Sequence, residues 1–379
     1  MTERRRRRRA AVLAAAALVL LAALVLTTTA WRRGGAERRA PPATPPPPPL
    51  DPPDPADAAL FRRMADLVEP HGYPLEMAAV RTTDGHRSLL FRIAEGRRTQ
   101  GRQQQHQHQQ QQQQQRQQQQ QQQNKRTKRR PALLLQHGLL GSSADFVLNG
   151  PEESLAFVLA DAGFDVFLAN SRGNEYGRGG VAGGGATSAY FWQWSWDEMA
   201  AFDLPAAVAA VLHLSGQSSL SLVAFSQGTT VALAALAAGN SMLPPRSIRQ
   251  ALLLGPVAYA THVDSVPLQR LADLGTDQAL LLLGAREFSP SGELLRRLSG
   301  DLCSSAPELC VSALTAICGF NAYNADPARI PRYLNYTPSG TSTQNMAHWA
   351  QAVRGGGRGG GGGLSLAHLQ SHLDYAGNQ

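Results

Sequence analysis

From Pro131 onward, short apolar runs alternate with longer stretches of helical periodicity, and this alternation limits what the chain can fold into. Residues 132–136, 165–169, 219–224 and 251–254 read as strands. Helices lie between them. Pro151-Glu152-Glu153 opens one, with proline at its first position and acids in the first turn, where the helix dipole favours negative charge; Gly163 closes it. Ser195-Trp196-Asp197-Glu198 is a capping box for a helix running to about Leu214, and residues 226–238 form a third. Strands this short and continuously apolar are buried on both faces. The expected fold is α/β, a mostly parallel sheet with helices on both faces. Upstream, residues 77–82 and 88–93 read as two further strands joined by a turn at Asp84-Gly85.

The rest of the chain is organised differently. Residues 1–130 carry 24 Lys and Arg against 10 Asp and Glu, whereas residues 131–379 carry 12 against 18. The overall charge of +8 therefore belongs to the N-terminal segments. The globular part has no basic patch with interleaved aromatics, so nucleic acid is excluded as a partner. Arg4 to Arg9 form a basic stub at 1–9, followed by 21 uncharged residues at 10–30. As a helix these would rise roughly 31 Å, the thickness of a bilayer core. The basic side faces the cytosol and the body crosses the membrane. The segment is either a retained anchor or a signal peptide cleaved after Thr28-Thr29-Ala30; both send the body into the secretory pathway. A Pro-rich spacer follows at 31–57, and the folded domain is expected over 58–379. Within it, residues 103–123 hold 18 glutamines, two histidines and one arginine, and 125–130 add five basic residues. This 103–130 tract reads as a solvated loop, and its irregular histidine spacing makes it neutral rather than a metal site.

The chemistry concentrates on two strand ends. Ser226 stands in Ala224-Phe225-Ser226-Gln227-Gly228, directly between an apolar strand and an Ala-rich helix. A sharp turn of this kind holds a serine exposed above the sheet, as a nucleophile requires. Upstream, Gln136-His137-Gly138-Leu139 leaves the 132–136 strand. There the backbone N–H groups of Leu139 and Gln227 would face the negative charge that develops when Ser226 attacks a carbonyl. Asn335-Tyr336-Thr337 is a glycosylation sequon, with Asn335 as acceptor.

These residues carry a family resemblance. Gly72-Tyr73-Pro74, Thr83-Asp84-Gly85, 135–140, 154–165 and Asn170-Ser171-Arg172-Gly173-Asn174 resemble the acid-lipase family in order. So do 191–204, 226–230, Pro256-Val257-Ala258, 310–320 and 340–353. That family includes gastric lipase, lysosomal acid lipase and steryl ester hydrolases. The resemblance covers about 58–95 and 131–353. It implies an α/β-hydrolase fold with a cap over the site at 259–353 and hydrolysis of acylglycerols or steryl esters without cofactor or metal. The substrate it implies is a lipid ester at a membrane or lipid-droplet interface. The family's nucleophile falls on Ser226 and its oxyanion donors on Leu139 and Gln227. Its disulfide falls on Cys303 and Cys310, leaving Cys318 free, in keeping with an oxidising lumen. The family places its triad acid and histidine downstream of the Gln344-Asn345…Trp349 segment, and the match stops at Val353. The fold is therefore expected to be C-terminally incomplete, the alternative function being a member of the fold without a complete triad. His372-Leu373-Asp374 resembles the surroundings of the family's histidine, but 373–379 aligns better with a structural stretch. His137, His213, His262 and His348 lie in matched structural runs or helices.

Overall fold

The computed structural model describes residues 50–52, 54–97, 130–180, 185–188, 190–238, 242–260, 262–263, 265–273, 284–288 and 326–354. The N-terminal segment at 10–30, most of the 103–130 tract, His372 and the three cysteines lie outside them. Eight strands form one sheet: β1 (Leu50–Asp51), β2 (Glu76–Arg81), β3 (His86–Ile93), β4 (Ala132–Gln136), β5 (Asp165–Leu168), β6 (Gly179–Gly180), β7 (Leu220–Phe225) and β8 (Ile248–Leu254). Their spatial order is β1-β2-β3-β5-β4-β7-β8, with β6 paired to β3. β5, β4, β7 and β8 are parallel, as the strand–helix alternation requires. β1, β2 and β3 run antiparallel to their neighbours.

Burial explains the strand sequences. Every residue of β4 and β5 is buried, and so is β7 until Phe225. Alternate residues serve opposite faces. Leu134, Leu222 and Ala224 join one core with Trp194 and Val208, while Leu133, Leu135 and Val223 join the other with Met64 and Phe157. The first core is covered by α3 (the 20-residue helix Trp196–Ser215) and α4 (Gln227–Ala238); the second by α1 (Asp57–Val68) and α2 (Leu155–Asp161). Each fully buried Leu, Val or Phe contributes about 1.5–3 kcal/mol. Helix α3 is long and apolar enough to cross a membrane by length and composition. Here that apolarity is spent on the first core.

Strand ends shift by one to three residues from the sequence reading, and two further differences have a visible cause. Pro151 to Glu153 form a turn, not the first turn of α2. Gly150 adopts φ +88° and its carbonyl accepts from Ser154 N at 2.8 Å, so the helix starts only at Leu155. The two acids pair with arginines, Glu152 with Arg97 and Glu153 with Arg329. The sheet also takes up Leu50–Asp51, inside the stretch read as spacer, because Asp51 bonds Arg81 at 3.0 Å across the β1–β2 pair. The capping box at Ser195 is present: Ser195 Oγ accepts from Asp197 N and Glu198 Oε2 from Ser195 N. Helix α3 then makes a π-helical turn at Met199–Asp203 that no periodicity announces.

Beyond β8 the described residues comprise α5 (Val266–Asp273), β9 (Glu287–Phe288), α6 (Ile330–Leu334), β10 (Thr341–Ser342) and α7 (Thr343–Arg354), in and just past the stretch expected as a cap. β9 and β10 pair antiparallel.

The Gln-rich tract interrupts the connection from β3 to β4, and the chain is pinned where it leaves the body and where it returns. Arg97 donates from its backbone N to Asp161 at 2.8 Å and from Nε to Tyr73 Oη at 2.8 Å. Arg130 Nη1 donates to Ala94 O at 3.0 Å. With the ends held, loop length costs only about 0.6 kcal/mol per doubling. Deleting residues 103–123 is expected to leave the melting temperature within a few degrees by calorimetry. Loss of soluble expression would give the tract a structural role.

Candidate active site

Ser226 occupies the turn between β7 and α4 with φ +51°, a conformation that non-glycine residues rarely adopt. Its own N–H donates to Leu254 O at 3.0 Å, and its carbonyl accepts from Thr229 N at 2.8 Å and Thr229 Oγ1 at 2.6 Å. Three hydrogen bonds thus hold a strained residue, as a positioned reactive group requires. The side chain is partly exposed at the carboxyl ends of the parallel strands.

Two glycines allow the β4 loop to close on this turn. A Cβ on Gly138 would fall 2.9 Å from Ser226 Cβ, and one on Gly228 would fall 2.6 Å from His137 O. Any side chain at either place would force the loop and the serine apart.

His137 holds that loop from within. It is buried; Nδ1 lies 2.8 Å from Gly138 O, and Nε2 accepts from Ser171 N at 3.0 Å. The backbone donor on Nε2 assigns the proton to Nδ1. Burial lowers its pKa to about 4, against the opposing pull of the Gly138 carbonyl, so the ring is neutral at pH 7. Gly138 O also accepts from Gly141 N at 3.2 Å. In a trans peptide the Leu139 N–H then points the opposite way from this pinned carbonyl. Leu140 follows with φ +56°, its carbonyl accepting from Ser339 N at 2.8 Å.

The Gln227 side chain turns into the protein, where its Oε1 accepts from Asn345 Nδ2 at 2.9 Å and Trp349 Nε1 at 2.6 Å. Asn345 and Trp349 stand on α7, and resemblance alone had marked their segment. Only side-chain geometry discloses their contact with the residue after Ser226. Arg172, also marked by resemblance, is buried between Asp84 and Asp203, 2.7 Å from each. Burial, which would raise the Asp84 carboxyl, is outweighed by His86 and Arg172, which hold it well below the usual carboxylate range.

Both nitrogens of His137 are engaged away from the serine. His348 stacks on Trp196 at 3.7 Å and lies 3.9 Å from Asp197; His213 and His262 are exposed. Among the described residues no imidazole is hydrogen-bonded to Ser226 Oγ, and no three His, Cys, Asp or Glu side chains converge as metal ligands. Asn335 is exposed at the end of α6.

A family model described as alpha/beta hydrolase fold matches residues 131–357, and one described as a partial alpha/beta-hydrolase lipase region matches 64–150. Gastric triacylglycerol lipase of Homo sapiens is 34% identical over 304 residues, which are 80% of this chain and 69% of that protein. Lipase member K of Mus musculus is 35% identical over 77% of this chain and 67% of its own length. Lysosomal acid lipase/cholesteryl ester hydrolase of Homo sapiens is 35% identical over 77% and 66%. The chain thus spans about two thirds of the length of these relatives.

The β4 loop carries a second titratable group, half-buried. Asp145 accepts from Thr337 Oγ1 at 2.9 Å and from Ser142 N at 3.3 Å. Burial, reinforced by the Glu175 carboxylate, raises its pKa from 3.8 to about 6. The folded state therefore keeps a proton that the unfolded chain has released, and this group's contribution to stability is full below pH 4 and lost as pH rises through 6. His137 runs oppositely: its contribution is full above pH 6.5 and lost as pH falls toward 4. Asp145→Asn keeps an acceptor for Thr337 and removes one of the two titrations. The stability of the variant relative to wild type is expected to fall by about 1–3 kcal/mol between pH 7 and pH 4, in urea titrations at each pH. Parallel stability curves for the two proteins would refute this assignment.

Proposed function

Because the chain belongs to the α/β-hydrolase-fold lipase family, we propose that it is a serine esterase that cleaves neutral lipid esters, acylglycerols or steryl esters, through an acyl-enzyme on Ser226. The observation that carries this reading is the strained, partly exposed Ser226 with the Gly138 backbone packed against it. Ser226 Oγ attacks the ester carbonyl carbon and a general base takes its proton. The carbonyl oxygen becomes an oxyanion facing the Leu139 and Gln227 N–H groups. The alkoxide or sterol oxygen leaves with a proton, and water then releases the acid from Ser226. Loss of one such backbone donor typically costs about 3–4 kcal/mol in the barrier. Two of the relatives, a triacylglycerol lipase and a cholesteryl ester hydrolase by name, support the substrate class.

A specific observation favours a second reading beside it. No described imidazole reaches Ser226 Oγ, and a serine without its base is a weak nucleophile. In that reading the 379-residue chain has the fold and the nucleophile without a complete triad. Such a protein turns over esters up to about 10⁶-fold more slowly than a complete one. A short-chain p-nitrophenyl ester and a fluorophosphonate decide between the two. In the first reading phosphonate is expected on Ser226 and absent from Ser226→Ala, with ester turnover at a lipase rate; in the second, little label and turnover far below that rate. Label on another residue would remove Ser226 as nucleophile. Robust turnover abolished by both Ser226→Ala and His372→Ala would instead make His372 the base and the triad complete.

We further infer a lumenal or extracellular catalytic domain, held at the membrane by 10–30 or released by cleavage there. A Cys303–Cys310 bridge and a glycan on the exposed Asn335 accord with that location. Tagged protein is expected to resist carbonate extraction and to retain Arg4. Soluble protein beginning near Trp31 would decide for cleavage.

A further inference from the structure

Both oxyanion donors proposed above are gripped from behind by one short stretch of the cap. On the β4 side, Ser339 N donates to the carbonyl of Leu140, the residue next to Leu139, and thereby holds its left-handed backbone. Two residues earlier, the Thr337 hydroxyl bonds the Asp145 carboxylate at 2.9 Å, at the far end of the same loop. On the serine side, Asn345 and Trp349 saturate the Gln227 side-chain carbonyl from two positions one helical turn apart. The chain itself joins the grips at 337–339 to those at 341–349, and hydrogen bonds knit the latter together. Asn345 Nδ2 gives one hydrogen to Gln227 and the other to Thr341 Oγ1 at 3.0 Å, while its backbone N donates to Ser342 Oγ at 2.9 Å. Ser342 Oγ in turn bonds Trp194 O, tying the stretch to the first core.

We propose that residues 337–349 act as a single positioning brace that aligns the Leu139 and Gln227 N–H groups together, so that any displacement of this part of the cap takes apart both halves of the oxyanion hole at once. The functional meaning rests on the reading of Leu139 and Gln227 as donors; the mechanical coupling does not. A brace shared between the two donors makes alignment all-or-none. A cap shifted to admit a bulky ester would leave neither donor in place until it returned.

The test is amide hydrogen exchange by mass spectrometry on the full chain, following peptides that cover 137–142 and 224–230. The informative readings cross from one side to the other. Thr337→Val removes a grip on the β4 loop, and Trp349→Phe removes a grip on Gln227 while keeping the ring. Each is expected to speed exchange in both peptides about five- to tenfold, the size of one lost hydrogen bond. Thr337→Ser is expected to restore the wild-type rates. Asn345→Leu, which breaks the link itself, is expected to give the largest change in both peptides. Melting temperatures establish that each variant folds; should Asn345→Leu not fold, the other two still read across the site. Acceleration confined to the peptide nearest each substitution, or none in either, would overturn the brace. Because exchange needs no turnover, an inactive Ser226 would sink the proposed activity and leave this result standing.

Discussion

The architecture of the site depends on how closely two stretches of backbone approach. The turn at Ser226 and the loop leaving β4 meet where Gly138 faces the serine Cβ and Gly228 faces the carbonyls of His137 and Gln136. Neither contact survives a methyl group. Parallel pairing of β4 with β7, Gln136 opposite Ala224, brings the two strand ends level, and the glycines let the loops beyond them touch. The sheet supplies the alignment, and the missing side chains supply the distance.

Around that contact the protein uses buried polar groups rather than apolar filling. His137 is neutral and fully committed; Arg172 is charged and sandwiched between two carboxylates. A buried ion pair of this sort rarely adds net stability, but losing one partner is costly, typically about 3–5 kcal/mol. Such groups resist small rearrangements, since each would strand a donor or a charge. Asn170 and Asn174 extend the pattern: Asn174 Nδ2 lies 3.1 Å from His137 Nε2 and 3.0 Å from Asn170 Oδ1. The loop beside the serine is therefore defined by hydrogen-bond geometry, where an apolar core would tolerate sliding.

Much of the fold was legible in the sequence because it rests on local rules. Continuous apolar runs marked β4, β5 and β7; Ser195 and Glu198 marked the start of α3; a serine between strand and helix marked the turn at 226. What was not legible depends on side chains meeting across long separations. Nothing in Gln227 or Asn345 alone says that they bond over 118 positions of chain. The π turn in α3 has no periodic signature, and it brings Asp203 to within 3.0 Å of Arg172 N. Pro151 misled for a related reason. Proline and two acids are good helix openers, yet Gly150 had already turned the chain, and Arg97 and Arg329 drew the acids away.

The stapled ends of the Gln-rich tract have a practical consequence. The tract enters the body at the amino end of β4, while the loop that faces Ser226 leaves its carboxyl end, five buried residues away. A strand of that length is about 17 Å long and rigid, because neighbours on both sides hold it. The same position is thus a port for grafting. A fluorescent domain or an affinity handle exchanged for the tract would hang from the two arginine staples, at the opposite end of the parallel strands from Ser226. Length added between Arg97 and Arg130 would enter the protein away from Ser226.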